Sequence, residues 1–573
     1  MKPLVICATL LIETSPQALP LGAACIASAL KHDRNTAGIF DVELIAVSKE
    51  EKDFAAAEKN GKSAEYIAGR ICKDREPAFV CFSVYVWNRK YLEETAQILK
   101  QRFPNIKILA GGPEVTASPD SFNHFDYTVS GAGELAMPEL IGKLYKNEKS
   151  DFPQGVYTSS IERNMTSSRC RAFPPELNTL SSPYLDGTLD PAEYGGALWE
   201  LARGCPFKCS YCYESKGEKK IQYFPMERIE KELELFNSKK IAQVFVLDPT
   251  YNANKKRAAE LLKLIEKKAP GMFFYFEARA EFIDRELAKA FTRIPCALQF
   301  GLQSADPEIL KLVNRTLDKK LFTRNIGYLN ETGAIFGFDL IYGLPKDTLE
   351  GFKKSVDFAL NLYPNNLETF CLSVLPGTDL ADSAESLGLE YENKPPYHVI
   401  KSDSFSVKDL AAAESISHAC NIFYNNGRAV PWFNSIIRAL HMRPVIFLVE
   451  FAEWYKKFIE PETKKSLADF DFSCCRHEEI EKLQVSFIKK IFTDRQKNNL
   501  TATAESLILF NGALSRVDSD AKPQTIQLKF HPDDLASPYS ADIAFFSKNC
   551  RPYNCRVNCF KNKNGQTDWK VLK

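Results

Sequence analysis

The chain has 573 residues, with 74 lysines and arginines against 73 aspartates and glutamates and a net charge of +1. This length exceeds one hydrophobic core, so we expect several domains. The charge balance excludes wholesale binding to nucleic acid or to an anionic membrane surface, and no apolar run reaches the roughly 20 residues that span a bilayer. The apolar N-terminus lacks a clean signal-peptide cleavage site. We therefore expect a cytoplasmic protein whose sixteen cysteines are thiols.

The first 150 residues alternate between strand-like and helical patterns. This alternation predicts a doubly wound, Rossmann-like parallel sheet across residues 1–150. The expected strands are PLVICATL, DVELIAVS, AFVCFSV, IKILAGG and DYTVSG. Ligands of such sheets bind beyond the carboxyl ends of the strands. Since no G-x-G-x-x-G follows the first strand, the pattern disfavours a dinucleotide as the ligand.

The residues at these strand ends are the first group of candidate binding residues. Three of them open the first helix, whose N-terminus favours a phosphate or an amide oxygen. The full group is Pro20, Leu21, Gly22, Ser83, Tyr85, Trp87, Asn88, Gly112, Glu114, Val115, Gly131 and Glu134. Glycines let the backbone approach a ligand closely, although most glycines at such positions only make tight turns. Trp87 suits domain packing as well as a ligand contact.

Composition divides the rest of the chain into three parts. Prolines, serines and threonines crowd residues 151–196, which we expect to be a linker. Six strand-like runs in residues 197–395 predict a partial (β/α)6 barrel of the TIM type, with its chemistry at the carboxyl ends of the strands. These runs are ALWELAR, AQVFVLD, MFFYFEAR, CALQFGLQ, IFGFDLIYGL and LETFCLSVLPG. Residues 396–573 predict an α-rich C-terminal domain with a small β part, in which TIQLKF alternates like an edge strand.

Three cysteines lie close together directly after the first of these strands. Cys205, Cys209 and Cys212 are near enough in sequence for their thiolates to bind one metal centre. Zinc in a structural site takes four protein ligands, and no fourth cysteine or histidine is close by. Three thiolates suit a 4Fe-4S cluster with one open iron. On spacing alone, a zinc site completed by a distant ligand remains the alternative.

This cysteine spacing, with Tyr211 before the last cysteine, resembles the signature of radical S-adenosylmethionine (radical SAM) enzymes. Five further segments resemble the strand motifs of that family in the same order, namely FVLDPTYN, FEARAEFID, FGLQSADPEILKLVNR, DLIYGLPKDTLEGF and LSVLPGTDL. The ordered series favours the cluster over zinc. The resemblance implies that the cysteines bind three irons, that the fourth iron chelates SAM, and that reduction yields a 5′-deoxyadenosyl radical.

The resemblance also assigns SAM contacts to residues at the strand ends. Tyr211 is expected to present backbone atoms to the adenine, and Asp248 to pair with the ammonium group. Glu277 and Arg279 share one face of a strand and suit the ribose hydroxyls and the carboxylate respectively.

Two further SAM contacts are expected at the end of the fourth strand. Gln303 and Ser304 are placed there to reach the ribose or the carboxylate of SAM. Ordinary hydrogen bonds at the barrel mouth are the alternative for these two residues and for Glu277 and Arg279. Asp339, in the fifth strand, is expected to have a structural role within the barrel.

The segments FSVYVWN, GGPEVT and SGAGE resemble the cobalamin-binding domain that precedes the barrel in one subclass of the family. That subclass lacks the Asp-x-His-x-x-Gly loop whose histidine ligates cobalt in other cobalamin proteins, and this chain lacks it too. The resemblance therefore implies cobalamin in the base-off form, held by the strand-end residues, with neither His32 nor His124 on the metal. The two resemblances together cover residues 1–380.

A second cysteine group stands near the end of the chain. Its members are Cys550, Cys555 and Cys559, with Cys474, Cys475 or His477 as conceivable further ligands. Scattered cysteines of this kind are usually free thiols, and a second metal site is the alternative.

The resemblance implies an enzyme that uses a 4Fe-4S cluster, SAM and cobalamin. The favoured activity is methyl transfer to an unactivated carbon (or phosphorus) centre, and the alternative is a rearrangement, cyclisation or redox step without methyl transfer. A non-catalytic cofactor-binding regulator is disfavoured by the complete set of motifs. We assign no catalytic side chain. The expected partners are a small-molecule or peptide substrate and an electron donor such as flavodoxin or ferredoxin, with neither nucleic acid nor membrane.

Overall fold

The computed structural model describes residues 2–13, 15–73, 75–148, 152–158, 171–216, 220–470 and 475–572. The chain forms two compact units. The first comprises Met1–Leu298, Val313–Arg315 and Ser373–Val399, and the second comprises Gln299–Leu312, Thr316–Leu372 and Ile400–Lys573. Within the described ranges, no helix combines the length and the apolar composition needed to cross a membrane.

The first unit begins with a six-stranded sheet in the order β2-β1-β3-β4-β5-β6. The strands are β1 Leu4–Leu11, β2 Asp41–Ser48, β3 Phe79–Ser83, β4 Lys107–Gly111, β5 Tyr127–Val129 and β6 Val156–Thr158. The helices are α1 Leu21–His32, α2 Lys52–Lys59, α3 Ser63–Ile71, α4 Arg89–Arg102, α5 Pro113–Ala117 and α6 Gly133–Tyr145. Strands β1 to β5 pair in parallel, which confirms the predicted doubly wound sheet. Strand β6 pairs antiparallel with β5 and was not predicted.

Two hydrophobic cores cover the two faces of this sheet. Successive residues of a strand point to opposite faces, so Leu4 and Ile6 of β1 enter one core, and Val5 and Cys7 enter the other. Because both faces are buried, every residue of β1 is buried. This two-sided burial explains why the parallel strands are continuous apolar runs in the sequence.

A second sheet has the strand order β14-β13-β12-β11-β10-β7, which confirms the six strands predicted for the partial barrel. These strands are β7 Gly196–Trp199, β10 Gln243–Val246, β11 Phe273–Ala278, β12 Cys296–Gln303, β13 Ile335–Tyr342 and β14 Asn366–Cys371, while β8 Ala202–Arg203 and β9 Gln222–Tyr223 form a separate pair. The helices are α7 Met226–Ser238, α8 Lys255–Lys268, α9 Arg285–Phe291, α10 Pro307–Leu312, α11 Lys319–Thr332, α12 Leu349–Leu360 and α13 Asp379–Ser383. Pairing is parallel between β7, β10 and β11 and between β13 and β14.

The sequence prediction of one continuous strand through ALWELAR was wrong. Strand β7 ends at Trp199, and the chain turns before β8, which pairs antiparallel with β9. The turn occurs because the backbone N–H groups of Leu201 and Ala202 both donate to a carboxylate oxygen of Asp248, each over 2.9 Å. These two amides are therefore satisfied by a side chain and not by a sheet neighbour.

The C-terminal part is mainly helical, as the sequence predicted. Its helices are α14 Val407–Cys420, α15 Phe433–Leu440, α16 Pro444–Phe458, α17 Glu460–Thr463, α18 His477–Asp494, α19 Thr501–Asp520, α20 Pro532–Ala536 and α21 Ile543–Asn549. Its strands are β15 Leu389–Tyr391, β16 Val399–Ser402, β17 Gln524–Leu528, β18 Cys555–Lys561 and β19 Thr567–Leu572. The last three form an antiparallel sheet in the order β17-β18-β19, so TIQLKF lies at an edge as predicted.

Candidate functional site

The first unit contains a cavity of about 620 Å³ at the carboxyl ends of the strands of its N-terminal sheet. This volume is within the roughly 300–1,000 Å³ that is typical of ligand sites. Nine of the twelve residues predicted at strand ends line it, namely Pro20, Leu21, Gly22, Ser83, Tyr85, Trp87, Gly112, Gly131 and Glu134. The sequence pattern therefore locates the cavity and most of its walls.

Backbone close to the cavity is formed by glycines that no other residue can replace without strain. Gly112 has a φ of +109°, and a Cβ at this position would lie 2.5 Å from the carbonyl oxygen of Val84. Gly131 has a φ of +97°. Both angles lie in the region that favours glycine. Bare backbone beside a mostly apolar cavity suits a large cofactor that must be approached closely, so these walls fit the expected cobalamin.

An aromatic pair stands at the same cavity. The rings of Tyr85 and Trp87 are stacked, with centroids 4.6 Å apart and planes inclined by 7°. Tyr85 is partly buried, and burial raises the pKa of its hydroxyl. Trp87 is 47% exposed, which is unusual for so large an apolar side chain. The open face of the indole is thus available to a ligand.

Within the described part of the chain, three of the twelve residues predicted at strand ends do not line the cavity. The Asn88 side chain is fully buried and serves the backbone, donating to the carbonyl groups of Leu10 and Ser83 and accepting from the Tyr85 N–H. Glu114 is bonded to protein side chains that are described below, and Val115 is packed in the core. These residues shape the cavity from behind.

The histidines singled out in the sequence lie away from this cavity, and no histidine is among its described lining residues. His32 ends α1, where its Nδ1 contacts the Ser28 carbonyl oxygen at 2.9 Å. His124 contacts the side chain of Gln97 at 2.8 Å. The described side chains that line the cavity therefore include no imidazole that could ligate cobalt.

The three predicted cluster ligands lie on one loop, residues 204–212, which we name the cluster loop. Cys209 is buried, and Cys205 and Cys212 are partly buried. The Cys212 N–H donates to the Cys209 carbonyl oxygen over 3.1 Å, which turns the chain between the last two ligands. Burial raises the pKa of the Cys205 thiol.

Two arginines flank the cluster loop. The Arg315 guanidinium lies 3.8 Å from the Cys209 sulfur and 3.5 Å from the Tyr211 hydroxyl. The Arg279 guanidinium lies over the ring of Phe207, 3.8 Å from its centroid. Cations beside thiolates stabilise the ionised form that binds metal. The chemistry of three cysteines and an adjacent guanidinium therefore fits an iron–sulfur cluster. Arg315 lies in the motif FGLQSADPEILKLVNR, but we did not single it out from the sequence.

Asp248 is the most perturbed acidic residue near the loop. It is 6% exposed, and burial raises the pKa of its carboxyl to about 7 even though two backbone N–H groups donate to it. Those donors belong to the turn before the cluster loop. Asp248 thus holds that turn in place, and it is a carboxylate that gains from a nearby cation.

The other predicted SAM contacts of the first unit lie along β11. Arg279 is buried and donates to Glu281 over 2.8 Å. Glu277 belongs to the same face, and burial, followed by the charge of Glu214, raises the pKa of its carboxyl. These charged groups lie at a strand end, as the sequence predicted.

Two predicted contacts belong to the second unit. Gln303 has a φ of +65°, and its side-chain oxygen is buried with no hydrogen-bond partner in the described part of the chain. Ser304 is buried beside Ser355, with 3.4 Å between their hydroxyl oxygens. Strain and an unsatisfied oxygen at a strand end are typical of a binding position. The Gln299 amide donates to Asp339 over 2.7 Å, which confirms the structural role expected for Asp339.

The cluster loop and the cavity meet within the first unit. Arg203, which directly precedes the loop, lines the cavity together with Glu200, Tyr213 and Glu214. The Arg203 guanidinium contacts Glu134 and Glu200, each at 2.7 Å. We did not single out these four lining residues from the sequence. The sequence could have identified three of them, since these three flank the cysteine motif.

The tail cysteines occupy ordinary positions. Cys555 and Cys559 are buried in β18, and Cys550 is partly buried. Cys474 lies outside the described residues. In the described ranges, neither the tail cysteines nor the three loop cysteines are gathered into a preformed metal-binding group. The distinction between them therefore rests on the loop, its arginines and its cavity.

Family comparisons agree with this division of the chain. The family described as the Radical SAM superfamily matches residues 199–359, the B12 binding domain matches residues 8–141, and a protein family of unknown function, DUF4080, matches residues 385–503. The chain therefore contains a radical SAM domain. Its B12-binding domain precedes the radical SAM domain, as the sequence motifs predicted. The radical SAM domain implies a 4Fe-4S cluster and SAM, and the B12-binding domain implies cobalamin.

Individual relatives are similar to part of this chain. The chain is 27% identical over 355 residues to the cobalamin-dependent radical SAM methyltransferase TokK of Streptomyces tokunonensis, covering 56% of this chain and 51% of TokK. It is 27% identical over 315 residues to a 2-(S-pantetheinyl)-carbapenam-3-carboxylate methyltransferase of Streptantibioticus cattleyicolor, covering 49% of this chain and 44% of that protein. This radical SAM chain thus spans about half the length of these two relatives.

A solved structure supports the fold over a greater length. The structure of OxsB, described as a cobalamin-dependent S-adenosylmethionine radical enzyme with aqua-cobalamin and S-adenosylmethionine bound, superposes with a TM-score of 0.57. The match covers 86% of this chain and 80% of OxsB at 15% identity. At this identity the likeness establishes the fold.

Proposed function

We propose that this chain is a cobalamin-dependent radical SAM methyltransferase that acts on an unactivated carbon (or phosphorus) centre. The observation that carries the proposal is the junction in the first unit, where residues beside the cysteine motif line the cavity of the B12-binding domain. Such a wall brings a methyl donor and a radical source to one space. When bound, the cluster with SAM would supply a 5′-deoxyadenosyl radical, and methylcobalamin would supply the methyl group.

The chain's own residues bind, orient and exclude water in this proposal. Cys205, Cys209 and Cys212 hold the cluster, with the Arg315 guanidinium beside Cys209. Tyr211 presents its backbone to the adenine of SAM, and Asp248 pairs with its ammonium group. The raised pKa of Asp248 supports this pairing, because a buried carboxylate is stabilised by a cation.

Further residues complete the two cofactor sites. Glu277 binds the ribose of SAM and Arg279 binds its carboxylate, while Gln303 and Ser304 bind the ribose or the carboxylate. The cobalamin site is formed by the nine predicted residues that line the cavity. No described lining residue is a histidine, so these walls would offer no imidazole to cobalt, in keeping with the base-off form that the family resemblance implies.

The setting of the reaction follows from the same proposal. We infer a cytoplasmic enzyme that takes electrons from a flavodoxin or a ferredoxin and acts on a small molecule or a peptide. The net charge of +1 supports a substrate that is neither a nucleic acid nor a membrane lipid surface. The domain limits we propose are 1–150, 151–196, 197–395 and 396–573.

The test uses full-length protein reconstituted without oxygen with iron, sulfide and hydroxocobalamin. SAM and a strong reductant are added, and 5′-deoxyadenosine and S-adenosylhomocysteine are quantified. We expect both products, because the first reports radical formation and the second reports methylation of cobalamin. Deoxyadenosine alone would favour a non-methylating rearrangement, cyclisation or redox reaction. The absence of deoxyadenosine from protein with a full cluster would favour a cofactor-binding regulator and overturn the proposal.

A further inference from the structure

Two separate contacts attach the cluster loop to the two glycine-containing loops that line the cavity. Both contacts lie within the first unit. One uses Arg203, which precedes the loop, and the other uses Ser210, which lies between the second and third cysteines. Together they fix the loop against the cavity wall from both sides.

The first contact is an ion pair with little exposure to water. Glu134 lies in the first turn of α6, directly after the cavity-lining Gly131 and Gly133. Its carboxylate meets the Arg203 guanidinium at 2.7 Å, and the carboxylate of Glu200 meets the same guanidinium at 2.7 Å. The side chains of Arg203 and Glu134 are 24% and 9% exposed, so the ion pair is largely shielded from water.

The second contact runs through residues Ser373–Val399, which we name the strap. The Leu380 N–H donates to the carbonyl oxygen of Ser210 over 2.9 Å, and the Val374 N–H donates to the carbonyl oxygen of Tyr397 over 2.9 Å. At the end of the strap, the Tyr397 hydroxyl donates to Glu114. The strap therefore reaches from the middle of the cluster loop to the residue that follows Gly112 and Pro113 of the cavity wall.

The carboxylate of Glu114 is shielded from water and hydrogen-bonded by its partners. The carboxylate is buried, and Arg89 donates to it over 2.9 Å and to the Tyr397 hydroxyl over 3.2 Å. Burial, followed by the hydrogen bond to Glu114, raises the pKa of Tyr397, so its hydroxyl remains a donor. A buried carboxylate needs such partners. We predicted Glu114 as a cobalamin contact, and its partners in the structure are the side chains of Arg89 and Tyr397.

We propose that Tyr397 and Arg203 are positioning residues that set the separation of the two cofactors, acting through Glu114 and Glu134. The inference rests on the proposed function, because methyl transfer to a substrate radical requires the two cofactors at a fixed distance. Loss of either contact frees one side of the cluster loop. Both cofactors then still bind, but the distance between them varies from one molecule to another.

The decisive variant is Tyr397→Phe, which removes one hydroxyl and keeps the ring. The first unit offers a matched control, because Tyr66 donates to Glu51 over 2.7 Å and Arg70 contacts both groups, in the same tyrosine–glutamate–arginine arrangement on α3 away from the cavity. Tyr66→Phe therefore removes an equivalent hydrogen bond. Arg203→Gln tests the first contact by removing the guanidinium that meets Glu134.

The measurement is pulsed electron paramagnetic resonance on full-length protein that holds cob(II)alamin and the reduced cluster. We expect one narrow interspin distance in the wild type and in Tyr66→Phe, and a broadened distribution in Tyr397→Phe and Arg203→Gln. Iron content should be unchanged, and cobalamin affinity should fall by no more than about tenfold, the equivalent of one ordinary hydrogen bond.

Two results would overturn the proposal. Unchanged distance distributions in both test variants would show that the contacts only stabilise the fold. A wild-type protein that binds no cobalamin would leave nothing to be positioned. The proposed function fails separately, since it requires both SAM-derived products, and its failure with a narrow wild-type distance would leave the positioning role in place for a different reaction.

Discussion

Replacing Asp248 by asparagine should abolish a specific pH dependence of stability. The Asp248 carboxyl is 6% exposed and has a pKa of about 7 against an ordinary value of 3.8. Between these values the unfolded chain loses the proton and the folded chain keeps it, so stability falls as pH rises through this range and is constant above it. One pH unit corresponds to about 1.4 kcal/mol, so the wild type should lose about 3 kcal/mol relative to Asp248→Asn between pH 5 and pH 8.

The assay is urea denaturation of both proteins, without cofactors, at several pH values from 5 to 8. Taking the difference between the two proteins cancels the titration of other groups. Asparagine keeps an oxygen that can accept from Leu201 and Ala202, whereas Asp248→Ala leaves both amides unpaired at a cost of about 1–3 kcal/mol each. Parallel pH profiles for the wild type and Asp248→Asn would refute the burial argument.

The same variant tests the proposed SAM contact. If Asp248 pairs with the ammonium group, Asp248→Asn should weaken SAM binding by roughly one to two orders of magnitude at pH 8, since a hydrogen bond to a charged group contributes about 1.5–3 kcal/mol. The iron content should remain that of the wild type. Unchanged SAM affinity would restrict Asp248 to holding the turn before the cluster loop.

The remaining predictions address each cofactor. Reconstituted wild type should hold about four irons per chain, and Cys209→Ala should lose the brown chromophore and all SAM cleavage; iron at the wild-type level in that variant would reassign the cluster. Bound cob(II)alamin should show no nitrogen superhyperfine splitting in its paramagnetic resonance spectrum, and a triplet that vanished in His32→Ala or His124→Ala would contradict the base-off site. Gly112→Ala should weaken cobalamin binding at least about tenfold, because its Cβ would lie 2.5 Å from the Val84 carbonyl oxygen, and equal affinity by titration would show that the wall adapts.

The sequence was sufficient for those features that depend on local pattern. Apolar runs located β1 to β5 of the first sheet and the six strands of the second, and the cysteine spacing located the cluster loop, because each depends on residues that are neighbours in the chain. The glycines at strand ends likewise predicted the cavity wall. Gly112 and Gly131 line it with backbone angles that require glycine.

Features that depend on contacts distant in sequence were missed. We predicted β7 and β8 as one strand because nothing in the segment ALWELAR indicates a break. The break depends on Asp248, 46 residues away, which accepts a hydrogen bond from the Ala202 N–H. Glu114 was assigned to the cofactor because its partner Tyr397 lies 283 residues further along the chain. A local sequence pattern shows that a residue lies at a strand end, but only the tertiary structure determines which group that residue contacts.

The central claim is that one chain combines a radical source with a cobalamin methyl donor, and it is tested most directly by following the methyl group. Reconstituted full-length protein is incubated with reductant and SAM that carries a trideuterated methyl group, and the protein-bound cobalamin is then released and analysed by mass spectrometry. We predict trideuteromethylcobalamin on the protein together with 5′-deoxyadenosine in solution, with the latter absent from Cys209→Ala. Protein-bound cobalamin that never acquires the label, in a sample that does form 5′-deoxyadenosine, would contradict methyl transfer.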